Sequence, residues 1–226
     1  DDGVVFSYRF EPNAETGDVF SREVGWLQFM RKSLELAEQH PFAVICDISE
    51  FYPRLGYHRL ENALRQVAGQ TPYPKRIMSF LSNYSNTNSF GLPIGGPAAR
   101  LLSEITINQV DRLLQSKGIA FARFADDYHL FAETREDAYR SLIYLSEKLC
   151  INQGLTLQKS KTRIMTSTEF RATNPIKDEK KLDEEVAADP AIDHSRSALM
   201  RFSLRFDPYS PTADNDYEAL KAEVRK

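Results

Sequence analysis

Three observations predict an α+β domain in which an antiparallel sheet is backed by helices. Helical periodicities alternate with strand-like apolar runs and no internal repeat is visible; the run "FAVICDI" at residues 42–48 is apolar up to Asp47; and two β-favouring runs flank "ADD", the pattern of a hairpin. The chain has 226 residues, 42% apolar and 27% charged, enough for one substantial core and a small second lobe. That composition excludes a wholly disordered chain and a disulfide miniprotein. Lys and Arg number 29 against 32 Asp and Glu, for a formal charge of -3. No chain-wide positive field attracts nucleic acid or an anionic membrane, so a polyanion must be held locally.

Each element follows from local pattern. From Ser21 to Glu38, Leu27, Met30, Leu34 and Ala37 recur at helical spacing, with Glu23 in the first turn and Pro41 beyond the end. Residues 42–48 then read as a strand covered on both faces. Leu60, Leu64 and Val67 make a short helix over 57–67, and "GQTPYP" with its Gly and two Pro predicts a loop. The polar run "SNYSNTNS" leads to the Gly-rich "GLPIGGP" at 91–97, which feeds a long helix to about Gln115. Residues 119–124 and 128–132 form the hairpin with Asp126 and Asp127 at its tip. Thr134 and Asp137 make a capping-box pair ahead of Ala138, Leu142, Leu145 and Leu149, and Gly154 closes that helix. Residues 155–166 predict one or two strands carrying Lys159, Lys161 and Arg163. From Phe170 to Ser195 charge dominates and a solvated insertion is expected, followed by a returning strand and a helix that reaches Lys226 without a C-cap signal, as in a chain cut in mid-element.

Cys46 and Cys150 are expected to be reduced core residues, and none of the four His has a His or Cys partner at zinc-ligand spacing. Apolar runs are too short to cross a bilayer and no signal-type segment opens the chain, so a soluble, cytoplasmic protein is expected. The carboxylates carry the chemistry. Should Asp47 at its strand end meet Asp126 and Asp127 on the hairpin, their repulsion would call for divalent cations, and oxygen-only ligands suit Mg²⁺ or Mn²⁺. Residues alone leave two other readings open: the acid pair as turn chemistry, and Asp47 as the partner of an Arg or a helix N-terminus.

"DISEFYPRL" from Asp47, "GLPIGGPAARLLSEI" from Gly91, "FARFADDYHLFA" from Phe121 and "GLTLQKSKT" from Gly154 together resemble the palm of reverse transcriptases, over more than half the chain. The likeness is to bacterial members of the group II intron, retron and abortive-infection lineages. The "LPIG" and "YHLF" forms resemble most the phage-defence branch. The resemblance implies a right-hand polymerase palm at 42–169, partial fingers and a lead-in helix at 1–41, and a charged insertion opening a thumb or helical region at 170–226. It implies two Mg²⁺ ions, with Mn²⁺ as substitute, held by Asp47 and Asp126, supported by Asp127 and joined by the backbone carbonyl of Ile48. It places Tyr52 under the sugar of an incoming dNTP, Gly91, Pro93, Gly95 and Gly96 against the nucleotide or base pair, and Lys161 near the departing pyrophosphate. Arg9 and Arg22 fall where fingers present cations, though nothing distinguishes them from surface arginines. Two departures stand out: Ile94 replaces the usual Gln, and Phe124 the usual Tyr. The implied activity is RNA-directed DNA polymerase, a nucleotidyltransferase acting in antiviral defence on an RNA or DNA strand, without a membrane and with a homo-oligomer left open. Alternatives are template-independent, protein-primed synthesis by the same site, an inactive RNA- or protein-binding palm, and a nucleotide cyclase.

Overall fold

Apolar alternation and capping produce a four-stranded antiparallel sheet with helices on both faces. The structure, a computed structural model, describes residues 3–173 except positions 16, 22, 86 and 87. These lie in one compact unit, Asp1–Asn174. In chain order the elements are α1 (Trp26–Gln39), β1 (Phe42–Asp47), α2 (Phe51–Arg54), α3 (Tyr57–Ala68), α4 (Tyr73–Ser85), α5 (Pro97–Ser116), β2 (Ala120–Phe124), β3 (Asp127–Ala132), α6 (Arg135–Lys148), β4 (Arg163–Thr166) and α7 (Ser167–Thr173). The expectations for 174–226, and Arg22, lie outside the described residues.

The strands run in the order β2-β3-β1-β4, every neighbour antiparallel. Side chains alternate between faces along each strand. On β3, Tyr128 and Leu130 join Val44 and Cys46 of β1 in the core shared with α5 and α6. His129 and Phe131 point the other way, where His129 packs against Phe29 of α1 and both meet Phe170 of α7. His129 is therefore a satisfied core histidine, its Nδ1 2.8 Å from Ser33 Oγ. Burying the aromatics and aliphatics of these two layers is the main stabilising contribution, at roughly 25 cal/mol for each Å² removed from water.

Several elements differ from expectation for identifiable reasons. α1 starts at Trp26, because Gly25 takes the extended N-cap position; Glu23 lies before the helix. α4 occupies part of the segment read as a loop. Pro74 sits in its first turn, where a missing N–H leaves no hydrogen bond unmade. Lys159 and Lys161 lie in a 3₁₀ turn and only Arg163 enters a strand. Cys150 is exposed while Cys46 is buried: past Lys148 the backbone enters a π-helical turn, Leu149–Gln153, in which Leu149 takes the core position. Thr134 caps α6 as the spacing predicts, accepting from the Asp137 N–H at 3.1 Å. Phe170, where the charged segment is expected to begin, is itself buried on α7. Among the described residues, no helix is long and apolar enough to cross a membrane.

Candidate active site

The register of β1 and β3 brings the acids together. Asp47 pairs directly with Asp127, and the Ile48 N–H donates to the Asp126 carbonyl at 3.0 Å. Paired strands lie about 4.8 Å apart, so residues 79 or more positions apart along the chain share one end of the sheet. Ala125 and Asp126 form the two-residue turn between Phe124 and Asp127. Ala125 adopts φ 51°, a left-handed conformation that non-glycine residues normally avoid at a cost of about 1–2 kcal/mol. Glu50, three residues after Asp47, is also left-handed at φ 49°. Strain of this kind persists where surrounding structure over-determines the backbone, typically at sites of function.

The electrostatics follow from that crowding. Burial pushes the Asp126 carboxyl up to about 7, and the charges of Asp127 and Asp47 add to the rise while Lys161 opposes it. Burial, followed by the same two acids, pushes the Cys46 thiol well above its usual range. Asp47 is nearly buried, and its Oδ2 accepts from Lys161 Nζ at 2.7 Å; the lysine is half exposed. The 3₁₀ turn delivers Lys161 there, anchored by the Gln158 N–H on the Asp47 carbonyl at 2.8 Å. This donor set fits a hard divalent cation: it is all oxygen, it gathers acidic side chains, and burial together with the two neighbouring acids already makes the Asp126 carboxyl resist ionising. Among the described residues, no three His, Cys, Asp or Glu side chains are gathered into a finished cation cage, and one oxygen of Asp47 is engaged by Lys161.

Other sequence-predicted residues surround this corner unequally. Tyr52 on α2 is 8% exposed, its ring set against Phe51, and burial pushes its hydroxyl up to about 12, with Ser103 and Tyr8 opposing the rise and the Asp126 charge adding to it. Gly91 is committed to the protein's own backbone. Its N–H donates to the Leu55 carbonyl at 2.9 Å, its carbonyl accepts from Tyr57 Oη, and at φ 98° an added Cβ would stand 3.2 Å from the Pro53 carbonyl oxygen. Gly95 and Gly96 face open space, with Gly96 at the N-cap of α5 and Pro93 and exposed Ile94 between them and Gly91.

One cluster escaped the sequence reading. Arg123 of β2 is fully buried and pairs with Asp111 and Glu104 of α5, each at 2.7 Å. Tyr128 Oη donates to Asp111 Oδ1 at 2.8 Å. The signal available was a lone arginine inside the apolar run "AFARF", since a buried guanidinium requires buried carboxylates.

An antiparallel sheet backed by helices, with acids where a strand end meets a hairpin tip, is consistent with the palm class of nucleotide polymerases. Residues 4–183 match the family model described as reverse transcriptase (RNA-dependent DNA polymerase), and the chain belongs to that family. No curated protein matches the chain. Membership supports nucleotide polymerase activity and, in general terms, binding of nucleic acid and dNTPs; reverse transcriptase domains generally use divalent metal ions.

Proposed function

We propose that the corner formed by Asp47, Asp126 and Asp127 is a two-metal nucleotidyl-transfer centre that adds dNTPs to a primer hydroxyl. The observation that carries this reading is the placement of three acidic residues at one sheet end, where burial, with the charges of Asp127 and Asp47 adding to it, pushes Asp126 up to about 7. When bound, two Mg²⁺ ions supply Lewis-acid charge at the attacking hydroxyl and at the triphosphate. Asp47 and Asp126 hold that charge from two different elements, and Asp127 keeps the local potential negative; the Ile48 carbonyl, one residue beyond Asp47, is a further oxygen donor. Lys161 brings a positive charge to the same corner and serves the departing pyrophosphate, as stabiliser or proton donor. Tyr52, within electrostatic reach of Asp126, excludes a 2′-hydroxyl and so selects deoxynucleotides. Pro93, Gly95 and Gly96 line the approach of nucleotide or base pair, where absent side chains permit close contact.

A role in anti-phage defence, inside the cytoplasm, rests on the "LPIG" and "YHLF" motif forms. Template-independent, protein-primed synthesis is the second reading. Exposed Ile94 favours it, since an apolar side chain stands where a polar contact to nucleotide or template is usual. Primer extension with Mg²⁺, defined RNA templates and single dNTPs tests both. Ordered products of template length are expected; untemplated tails on every template select the second reading, and absence of any incorporation leaves an inactive binding palm or a nucleotide cyclase.

A further inference from the structure

Arg123 makes more contacts than one ion pair requires. A guanidinium has five N–H groups in a rigid fork, and all five are used. Nε donates to Asp111 Oδ1 at 2.9 Å, and Nη2 to Asp111 Oδ2 and Glu104 Oε2, both at 2.7 Å. Nη1 donates to Glu104 Oε1 at 3.2 Å and, with its remaining N–H, to the Ala125 carbonyl at 2.9 Å. Four N–H groups satisfy two carboxylates. The fifth is aimed at the left-handed residue immediately before Asp126.

The same network grips the rest of the hairpin. The Arg123 backbone is fixed on its outer edge, donating to the Val4 carbonyl at 2.7 Å and accepting from the Phe6 N–H at 2.9 Å. Tyr128, next to Asp127 on the opposite arm, is held through its hydroxyl on Asp111. Glu104 is secured in turn by Ser7 Oγ at 2.6 Å. Both arms and the turn are thus referred to α5, through residues seven apart on that helix. Stability alone does not account for such a cluster, because well-packed apolar side chains of similar volume stabilise a core as well as, or better than, buried ion pairs. What apolar packing cannot do is fix the orientation of one carbonyl.

We infer that Arg123 is a positioning residue, whose buried network with Asp111, Glu104 and Tyr128 holds the Ala125 turn so that Asp126 and Asp127 present their carboxylates to divalent cations. This rests on the metal-binding reading above. Outer partners that orient metal ligands change metal affinity about 10- to 100-fold when removed. Lysine at this position keeps the charge but has three donors around a single point and cannot span two carboxylates and a carbonyl together.

The test is Mn²⁺ binding to the purified full chain, followed by electron paramagnetic resonance without nucleotide or primer, alongside thermal melting. Wild type is expected to bind and Asp126→Asn to lose binding. Arg123→Lys is expected to weaken Mn²⁺ about tenfold or more. Leu145→Ala, a core truncation on α6 outside the network, melts earlier yet should bind as wild type. Arg123→Lys that is folded and binds Mn²⁺ with wild-type affinity overturns the inference alone; wild type that binds no Mn²⁺ overturns the metal reading and this inference with it. If Arg123→Lys does not fold, Glu104→Gln keeps the shape and the Arg123–Asp111 pair. A severalfold loss of Mn²⁺ affinity there supports positioning, and unchanged affinity overturns it.

Discussion

Two clusters of charge, adjacent along the hairpin, are built on opposite plans. Behind the turn, Arg123 sits between Asp111 and Glu104 with every N–H satisfied, so opposite charges are closed on each other away from water. At the tip, half-exposed Lys161 pairs with Asp47, and burial, followed by the charges of Asp127 and Asp47, holds Asp126 up at about 7. Burial alone therefore does not define the site. The contrast lies in how the acids are held: at the rear two carboxylates share one guanidinium whose every N–H is used, while at the tip burial and neighbouring acids leave a carboxyl raised at a corner that can take added positive charge.

The sharpest way to break this contrast is Asp126→Asn. Incorporation is expected to fall about 10³-fold or more, as for removal of a group essential to charge stabilisation. Stability should move the opposite way. Folded Asp126 keeps its proton to about 7 against an ordinary 3.8. Between those values the folded state binds more protons at this group than the unfolded state, so the contribution of Asp126 to metal-free stability is fully present below pH 4, declines as pH rises and is lost above about pH 7. Asn removes the slope. In EDTA at pH 8 the variant should exceed wild type by an amount on the order of 4 kcal/mol at most, at roughly 1.4 kcal/mol for each pKa unit, and at pH 4 the gap should close. Melting curves that show an equal gap at both pH values would mean that the charged Asp126 carboxylate is not disfavoured in the folded chain.

At the rear cluster the same kind of change should only harm. Arg123→Met leaves Asp111 and Glu104 buried without a counter-charge, which costs about 3–5 kcal/mol. Denaturant unfolding measures this, and a loss below about 1 kcal/mol would show that the two acids are accommodated as neutral groups. Glu104 is already raised by burial, with Arg123 opposing, and Tyr128 is raised by burial and by Asp111, so both are poised to stay protonated once the arginine goes.

The front cluster was legible in the sequence and the rear one was not, for a physical reason. Asp47 closes an apolar run and Asp126 and Asp127 interrupt two others, so local pattern alone marks strand ends, and antiparallel pairing of adjacent strands then puts those ends together. Asp111 and Glu104 sit among ordinary polar positions of a long amphipathic helix, and their burial is decided by which strand lies against it, a nonlocal fact. Local reading also failed where one residue has two uses. Pro74 reads as a helix breaker although it is harmless in a first turn, and Tyr73, Phe80 and Tyr84 on the exposed face of α4 hide that helix further. The turn carrying Lys161 reads as a strand because its apolar neighbours alternate, yet Asp47 draws that lysine in.

Lys161→Met sharpens the front cluster by removing the cation paired with Asp47. A half-exposed ion pair contributes about 1 kcal/mol or less, and its loss also leaves Asp126 with less opposing charge, raising its carboxyl further. Little change in melting temperature is expected, with incorporation reduced roughly 10- to 100-fold at saturating dNTP, the range for a lost electrostatic donor or general acid. An unchanged kcat would leave the lysine as a surface partner of Asp47.

The smallest effects separate the two roles of the glycine loop. Gly91 at φ 98° and Gly95 at φ 106° both hold conformations that an alanine adopts only with strain, about 1–2 kcal/mol each. Beyond that they differ. An alanine methyl at 91 meets the Pro53 carbonyl oxygen at 3.2 Å, a backbone atom that cannot swing aside, whereas at 95 nothing lies within 4 Å. Gly91→Ala should therefore lose about 1 kcal/mol more than Gly95→Ala. Activity should invert the order. Gly91 faces its own chain, so the folded Gly91→Ala should keep the wild-type KM for dNTP, while a methyl at 95 intrudes where substrate approaches and should raise it. Equal KM values for both variants, measured at a temperature where each is folded, would mean that Gly95 serves only to turn the chain into α5.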